Sequence, residues 1–108
     1  MAITYTNLIA PRQIPNSQTT VFTADSNTNC SIWVTNPSGS AVTLEVSVVD
    51  SGGTATDDAY IVRPSFSLAT LETWCLNGVV MENGDFISMI AGTNNALSLR
   101  IQGADGMP

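Results

Sequence analysis

Residues 30–50, CSIWVTNPSGSAVTLEVSVVD, decide the fold of this chain. Apolar residues occupy every second position of both arms, which is the period of a β-strand with one buried face. Residues 36–40 between the arms contain a Pro and a Gly, which favour a tight turn. The stretch therefore predicts a β-hairpin, and further strands are needed to cover its apolar face. The predicted buried residues of the second arm are Val42, Leu44, Val46 and Val48.

The rest of the chain supplies those strands at a spacing of roughly ten residues, a spacing typical of sandwiches and barrels. A second hairpin is predicted from residues 86–91 and 96–102, with Leu97, Leu99 and Ile101 buried. Other strands are predicted at residues 18–24, at 60–68 with a break at Pro64, and at 71–81 with a bulge at Asn77-Gly78. The pattern predicts an all-β single sandwich of about eight short antiparallel strands, with a jelly roll as a candidate topology.

The first 17 residues have a different character and predict an extended N-terminal arm, followed by a sandwich domain at residues 18–108. Pro11 and Pro15 cannot donate backbone hydrogen bonds, so they do not suit a central strand. Two arrangements of this arm stay open. It lies along the edge of its own domain, or it reaches a neighbouring subunit.

The charge balance argues against several classes of partner. The net charge is −6, and the chain has three Arg and no Lys. Nucleic acid and anionic membranes need clustered cations, so neither is an expected partner. No apolar run approaches the roughly 18 residues of a membrane span, and the N-terminus lacks the basic start of a signal peptide. We therefore expect the protein to be made and used in the cytoplasm.

The residue inventory also argues against an enzyme. The chain has no His and no Lys, which removes Ser-His, Cys-His and Schiff-base chemistry. Paired carboxylates could serve glycoside hydrolysis, but a small sandwich leaves little room for a substrate cleft. The oxygen-rich residues 57–58 and 83–85 are better explained as turns than as calcium loops. Cys30 and Cys75 lack metal-ligand spacing and are predicted to be free thiols, so no cofactor or metal is expected.

Apolar side chains on the outer faces of the predicted strands are the main functional signal. Strand alternation places Trp33 outward, and it does the same for Phe86 and Ile90. Either a second layer of the same chain covers them or another subunit does, and exposed apolar patches with Trp often mark such contacts. The predicted interface residues are Trp33, Phe86 and Ile90, together with Tyr5, Ile9, Pro11 and Pro15 of the arm.

Three segments resemble a group of small tailed-bacteriophage virion proteins. They are TNPSGSAVTLEVSVVDSGGTATD (residues 35–57), SLATLETWCLNG (67–78) and VVMENGDFISMIAGTNNALSLRIQG (79–103). The resemblance covers about residues 21–103 and rests on turn and strand patterns. It implies a β-sandwich virion structural protein without an active site, and such proteins decorate heads or build necks, tails and fibres.

The favoured function is therefore a capsid decoration (cement) protein that stabilises a phage head, with other copies of itself and the major capsid protein as partners. The resemblance suggests a trimer, because decoration proteins often sit at threefold positions. A neck, tail or fibre component, including host-surface binding, is the first alternative. The second is a carbohydrate-binding module that uses Trp33, Trp74 and Tyr60; an exposed coplanar Trp pair would favour it.

Overall fold

The computed structural model describes residues 6–107. Its helical content within these residues is one 3₁₀ turn, Asp58–Tyr60, and no α-helix is present among them. The strands are β1 (Thr6–Asn7), β2 (Arg12–Gln13), β3 (Thr19–Thr23), β4 (Asn27–Thr35), β5 (Val42–Val49), β6 (Ile61–Leu68), β7 (Thr73–Met81), β8 (Phe86–Ala91) and β9 (Ser98–Met107).

The strands form two antiparallel sheets packed face to face. In the first, here called the β4 sheet, the order is β1-β9-β4-β7, and β2 pairs with β9 beyond the end of β1. In the second, the β5 sheet, the order is β3-β8-β5-β6. Because β1 and β2 share one edge position, the chain fills eight strand positions in the order of a jelly roll. The predicted all-β sandwich is confirmed.

Both predicted hairpins are wrong. Strand β4 pairs with β7 and β9, whereas β5 pairs with β6 and β8, so the loop at residues 36–41 carries the chain from one sheet to the other. The loop between β8 and β9 crosses between the sheets in the same way. Two strands that face each other across a core have the same apolar alternation as two strands side by side. The pattern therefore identifies the buried face but not the hydrogen-bonded neighbour.

The predicted core is confirmed at six of the seven positions named, and the seventh is partly buried. Val42, Leu44 and Val46 are buried, as are Leu97, Leu99 and Ile101 on the facing sheet. Val48 also packs against the core but is only partly covered. Val49, its outward neighbour, is fully buried instead, and the 3₁₀ turn contacts β5 near this end. We attribute the burial of Val49 to the β5–β6 loop, which folds over that end of the outer face.

Two local features depend on strand position. The predicted bulge is confirmed, because the β4–β7 register gains one residue on β7 at Asn77-Gly78, and Gly78 has a φ of +73°. The predicted break at Pro64 is a local irregularity within one strand, because β6 runs from Ile61 to Leu68 while its register with β5 gains one residue between Arg63 and Phe66. Strand β6 lies at a sheet edge, where the missing N–H of proline costs no ladder hydrogen bond.

The arm lies along its own domain from residue 6 onward. β1 and β2 pair with β9, and Ile14 is fully buried in the core. Leu8 donates its backbone N–H to the carbonyl of Ile101 at 2.9 Å. Residues 6–14 thus supply the first strand position of the roll, whereas Tyr5 lies outside the described residues.

Asn36 joins the β4–β5 loop to the β6–β7 loop. Its side chain is fully buried and donates to the carbonyls of Ser40 (2.9 Å) and Leu68 (2.8 Å). Its Oδ1 accepts from the backbone N–H of Ser38 (3.0 Å) and from the Ser38 hydroxyl (2.6 Å). The Asn36 carbonyl also accepts from Leu71 N–H at 2.7 Å. This residue therefore fixes the geometry of one end of the sandwich.

Candidate interaction site

The outer face of the β4 sheet is centred on Trp33. Strand β4 alternates, so Ile32 and Val34 point into the core and Trp33 points outward. Trp33 is 46% exposed, an unusual degree for a tryptophan in the middle of a sheet. Trp33 is therefore a candidate anchor for a partner.

Trp33 has defined neighbours on both sides. The strand register places Cys75 of β7 on one side and Arg100 of β9 on the other. A groove of about 350 Å³, lined by Asn29, Gln102 and others, runs along Trp33 and Arg100, and a second of about 230 Å³ includes Pro11. Within residues 6–107, neither the Trp33 indole N–H nor the Arg100 guanidinium makes a hydrogen bond or ion pair. As far as this part of the chain is concerned, both donors are unpaired.

A second candidate face lies on the opposite side of the sandwich, on the β5 sheet. Ile90 of β8 and Glu45 of β5 are direct cross-strand partners, and both are partly exposed. They line a groove of about 250 Å³ together with Asn16, Thr43 and Ser65. The face combines an apolar side chain with a carboxylate in adjacent positions.

The structure does not gather the predicted interface residues on one surface. Trp33 lies on the β4 sheet, and Phe86 and Ile90 lie on the β5 sheet, so they face opposite directions. Pro11 is exposed beside Trp33, whereas Ile9 packs against the core. The other two predicted residues are Pro15, which is partly buried with its carbonyl accepting from Ala91 N–H at 3.1 Å, and Tyr5, which lies outside the described residues.

Arg100 and Glu45 are charged residues of these two faces, and the sequence did not predict them as site residues. Strands β4 and β7 contain no charged residue, and β9 adds Arg100 in its middle, with Asp105 near its end. Glu45 is the single carboxylate among the described strands of the β5 sheet. The sequence shows that Arg100 and Glu45 alternate with apolar residues along their strands. It does not show that they neighbour Trp33 and Ile90, because that depends on the register between strands.

Most other carboxylates lie at one end of the sandwich, away from the two faces. The β3–β4, β5–β6 and β7–β8 loops meet there, as shown by hydrogen bonds from Ala24 N–H to the Asp85 carbonyl and from Ser51 N–H to the Asp85 side chain. This arrangement leaves the faces almost free of charge, so Arg100 and Glu45 dominate their local electrostatics. The carboxylates at this end are Asp25, Asp50, Asp57, Asp58, Glu82, Asp85 and Asp105.

The aromatic residues do not form the platform that a carbohydrate-binding module would present. Trp74 is the register partner of Val34, so it lies on the inner side of the β4 sheet, opposite to Trp33. Its ring packs against Phe66, with ring centroids 6.0 Å apart and tilted by 51°. Arg63 covers the same Phe66 ring at 4.0 Å. Trp33 and Trp74 therefore make no exposed coplanar pair.

The two cysteines occupy different environments. Cys30 is buried, and its burial raises the pKa of the thiol to about 11, whereas Cys75 is exposed beside Trp33. Residues 6–107 hold no group of three or more metal-ligating side chains. Within the same part of the chain, no helix is long and apolar enough to cross a membrane.

No protein-family model matches this chain, and no curated protein does. Among solved structures it is similar to one described by the words "Bacillus endospore appendages form a novel family of disulfide-linked pili". That match has 16% identity and a TM-score of 0.50, and it covers 96% of this chain and 89% of the other. A protein of infectious bursal disease virus, Gx strain, matches with 12% identity and a TM-score of 0.48, covering 95% of this chain and 31% of that one. At these identities the likeness to the pilus structure concerns the fold alone.

Proposed function

We propose that this chain is a non-enzymatic structural subunit of a tailed-phage virion, held in an assembly through its outer sheet faces. The observation that carries the proposal is Trp33, which stands 46% exposed at the centre of a face with almost no charge. Tryptophan is enriched among the residues that dominate binding energy, and charged residues are depleted at interface cores. Covering this face with protein would bury the indole.

The specific role proposed is decoration of the head, with the major capsid protein and other copies of this chain as partners. The resemblance of about residues 21–103 to phage virion proteins supports it, and jelly rolls occur in viral capsid domains. That support is by analogy, since a fold does not by itself define a function.

A component of the neck, tail or a fibre is the second candidate. The two candidate faces point in opposite directions, which suits a row of subunits that contact one another in series. The pilus-associated structure with a similar fold belongs to an appendage. This candidate and head decoration predict different binding partners.

The test uses capsids that lack the protein, tails, and purified protein carrying Trp33→Ala. Leu71→Ala is the matched control, because Leu71 is also a highly exposed apolar residue (81%) but lies in the β6–β7 loop and not on an outer sheet face. We expect wild type and Leu71→Ala to bind capsids stoichiometrically and Trp33→Ala to bind at least about tenfold more weakly while still folded. Deleting residues 1–17 is a poor test, because it removes the core residue Ile14.

Binding of the intact protein to tails and not to capsids would favour the second candidate. If it binds neither and stays monomeric at high concentration, the structural role itself is wrong.

A further inference from the structure

The two outer faces carry complementary pairs of side chains. On the β4 sheet, Trp33 and Arg100 are direct cross-strand partners, so an apolar and a cationic side chain stand next to each other. On the β5 sheet, Ile90 and Glu45 are direct cross-strand partners, so an apolar and an anionic side chain stand next to each other. Cross-strand partners in antiparallel sheets have Cα atoms about 4.5–5.5 Å apart, so the spacing within the two pairs is matched.

We propose that the outer β4-sheet face of one copy docks on the outer β5-sheet face of the next copy, with Trp33 against Ile90 and Arg100 paired with Glu45. The inference rests on the proposed function, because it names the partner of the Trp33 face. The indole would fill the groove beside Ile90, and a desolvated Arg–carboxylate pair would set the register. The occupant of each face is therefore a second copy of this chain.

The charges on the two faces favour this occupant. In a chain of net charge −6, Arg100 is the one cation on the central strands of the β4 sheet, and no neighbouring carboxylate among the described residues pairs with it. Among residues 6–107 Glu45 likewise has no cationic partner on its own face, because Arg63 is stacked on Phe66. On the outer β5-sheet face Ser47, Val49 and Ser88 are already buried by the chain itself, so the part open to a second copy lies around Glu45 and Ile90.

The geometry also fixes the type of symmetry. The docking patches are different surfaces on opposite sides of one sandwich, which makes the contact heterologous. A heterologous contact gives a ring or an open row according to the rotation between copies, and patches on opposite sides of a flat sandwich favour the open row. A closed trimer would require the two patches to be inclined toward each other.

Charge reversal tests the pairing directly. Arg100→Glu places a carboxylate opposite Glu45, and Glu45→Arg places a guanidinium opposite Arg100. Each variant alone should self-associate at least about tenfold more weakly than wild type, because like charges are brought together. An equimolar mixture of the two should regain association, since each contact then joins opposite charges. Arg12→Glu and Asp58→Arg are matched controls that change the net charge equally at exposed sites, and neither residue lines the grooves beside Trp33 or Ile90.

The measurement is sedimentation velocity over a range of protein concentrations at low salt, with far-UV circular dichroism to confirm folding. For wild type, both controls and the mixture, we expect oligomers whose size increases with protein concentration. For each single variant we expect monomers. Self-association of wild type without recovery in the mixture would overturn this pairing and leave the structural role intact. A fixed dimer or trimer would overturn the open row. Wild type that stays monomeric and binds no virion component would overturn both proposals.

Discussion

Replacing Asn36 with alanine should strongly destabilise the domain, although the residue lies in a loop. The substitution removes four side-chain hydrogen bonds and leaves the carbonyl of the buried Leu68 without its donor. An unsatisfied buried polar group costs about 1–3 kcal/mol, and the loss of the loop contacts adds about 1 kcal/mol. We therefore expect a loss of about 2–4 kcal/mol, or a decrease in Tm of roughly 8–16 °C for a domain of this size.

Two further variants separate hydrogen bonding from shape. Ser38→Ala removes only the hydroxyl contacts and should cost about 1 kcal/mol, because the Ser38 backbone N–H still donates to Asn36. Asn36→Asp keeps the shape but loses the two N–H donors and buries a carboxylate, so at neutral pH it should cost at least as much as alanine. The assay is urea denaturation followed by tryptophan fluorescence. A cost below about 1 kcal/mol for Asn36→Ala would refute the idea that this side chain holds the two loops together.

Three other predictions concern the core, one thiol and one glycine. Leu44→Ala should cost about 2–5 kcal/mol in urea denaturation, since Leu44 is fully buried, and an unchanged midpoint would contradict its place in the core. The folded-state pKa of Cys30 is raised from 9.0 to about 11, so unfolding releases a proton between these values and stability should fall as pH rises from 9 to 11. Cys30→Ala should lack this component of the pH profile. Gly103→Ala places a Cβ against the Asn29 carbonyl oxygen and should cost about 2–3 kcal/mol in thermal melts, whereas Gly39→Ala, with no atom within 4 Å, should cost little.

The sequence predicts the fold class and most of the core because both follow from the period of the apolar residues. Leu44 and Ile101 are identified by alternation alone, and their burial in the structure confirms them. The pairing of strands is a different kind of information. Residues 30–50 have the sequence pattern of a hairpin, although β4 and β5 belong to different sheets. Turn residues such as Pro37 and Gly39 suit a loop that connects two sheets as well as a loop within one sheet, so they do not distinguish the two cases.

For the candidate site, the sequence predicts which side chains point outward but not how they are arranged relative to one another. Alternation placed Trp33 and Ile90 on outer positions, but it could not show that they lie on opposite faces, because that depends on which sheet each strand joins. The sequence likewise places Arg100 and Glu45 at the outward, polar positions of alternating strands. Their significance comes from the cross-strand register, which joins residues far apart in the chain. Ile14 was assigned to the extended arm and not to the core, because Pro11 and Pro15 on either side of it interrupt the strand pattern.

The passage of the chain between sheets also has a consequence for how the protein is made. Among the described strands, β5 and β6 are the only consecutive strands that pair with each other, and every other pairing joins distant segments. Long loops must therefore close before most of the structure gains stability, and topologies of this kind fold in milliseconds to seconds. During that interval β4 and β9 expose unpaired edges and apolar faces to other chains, so the yield of refolding should fall as protein concentration rises.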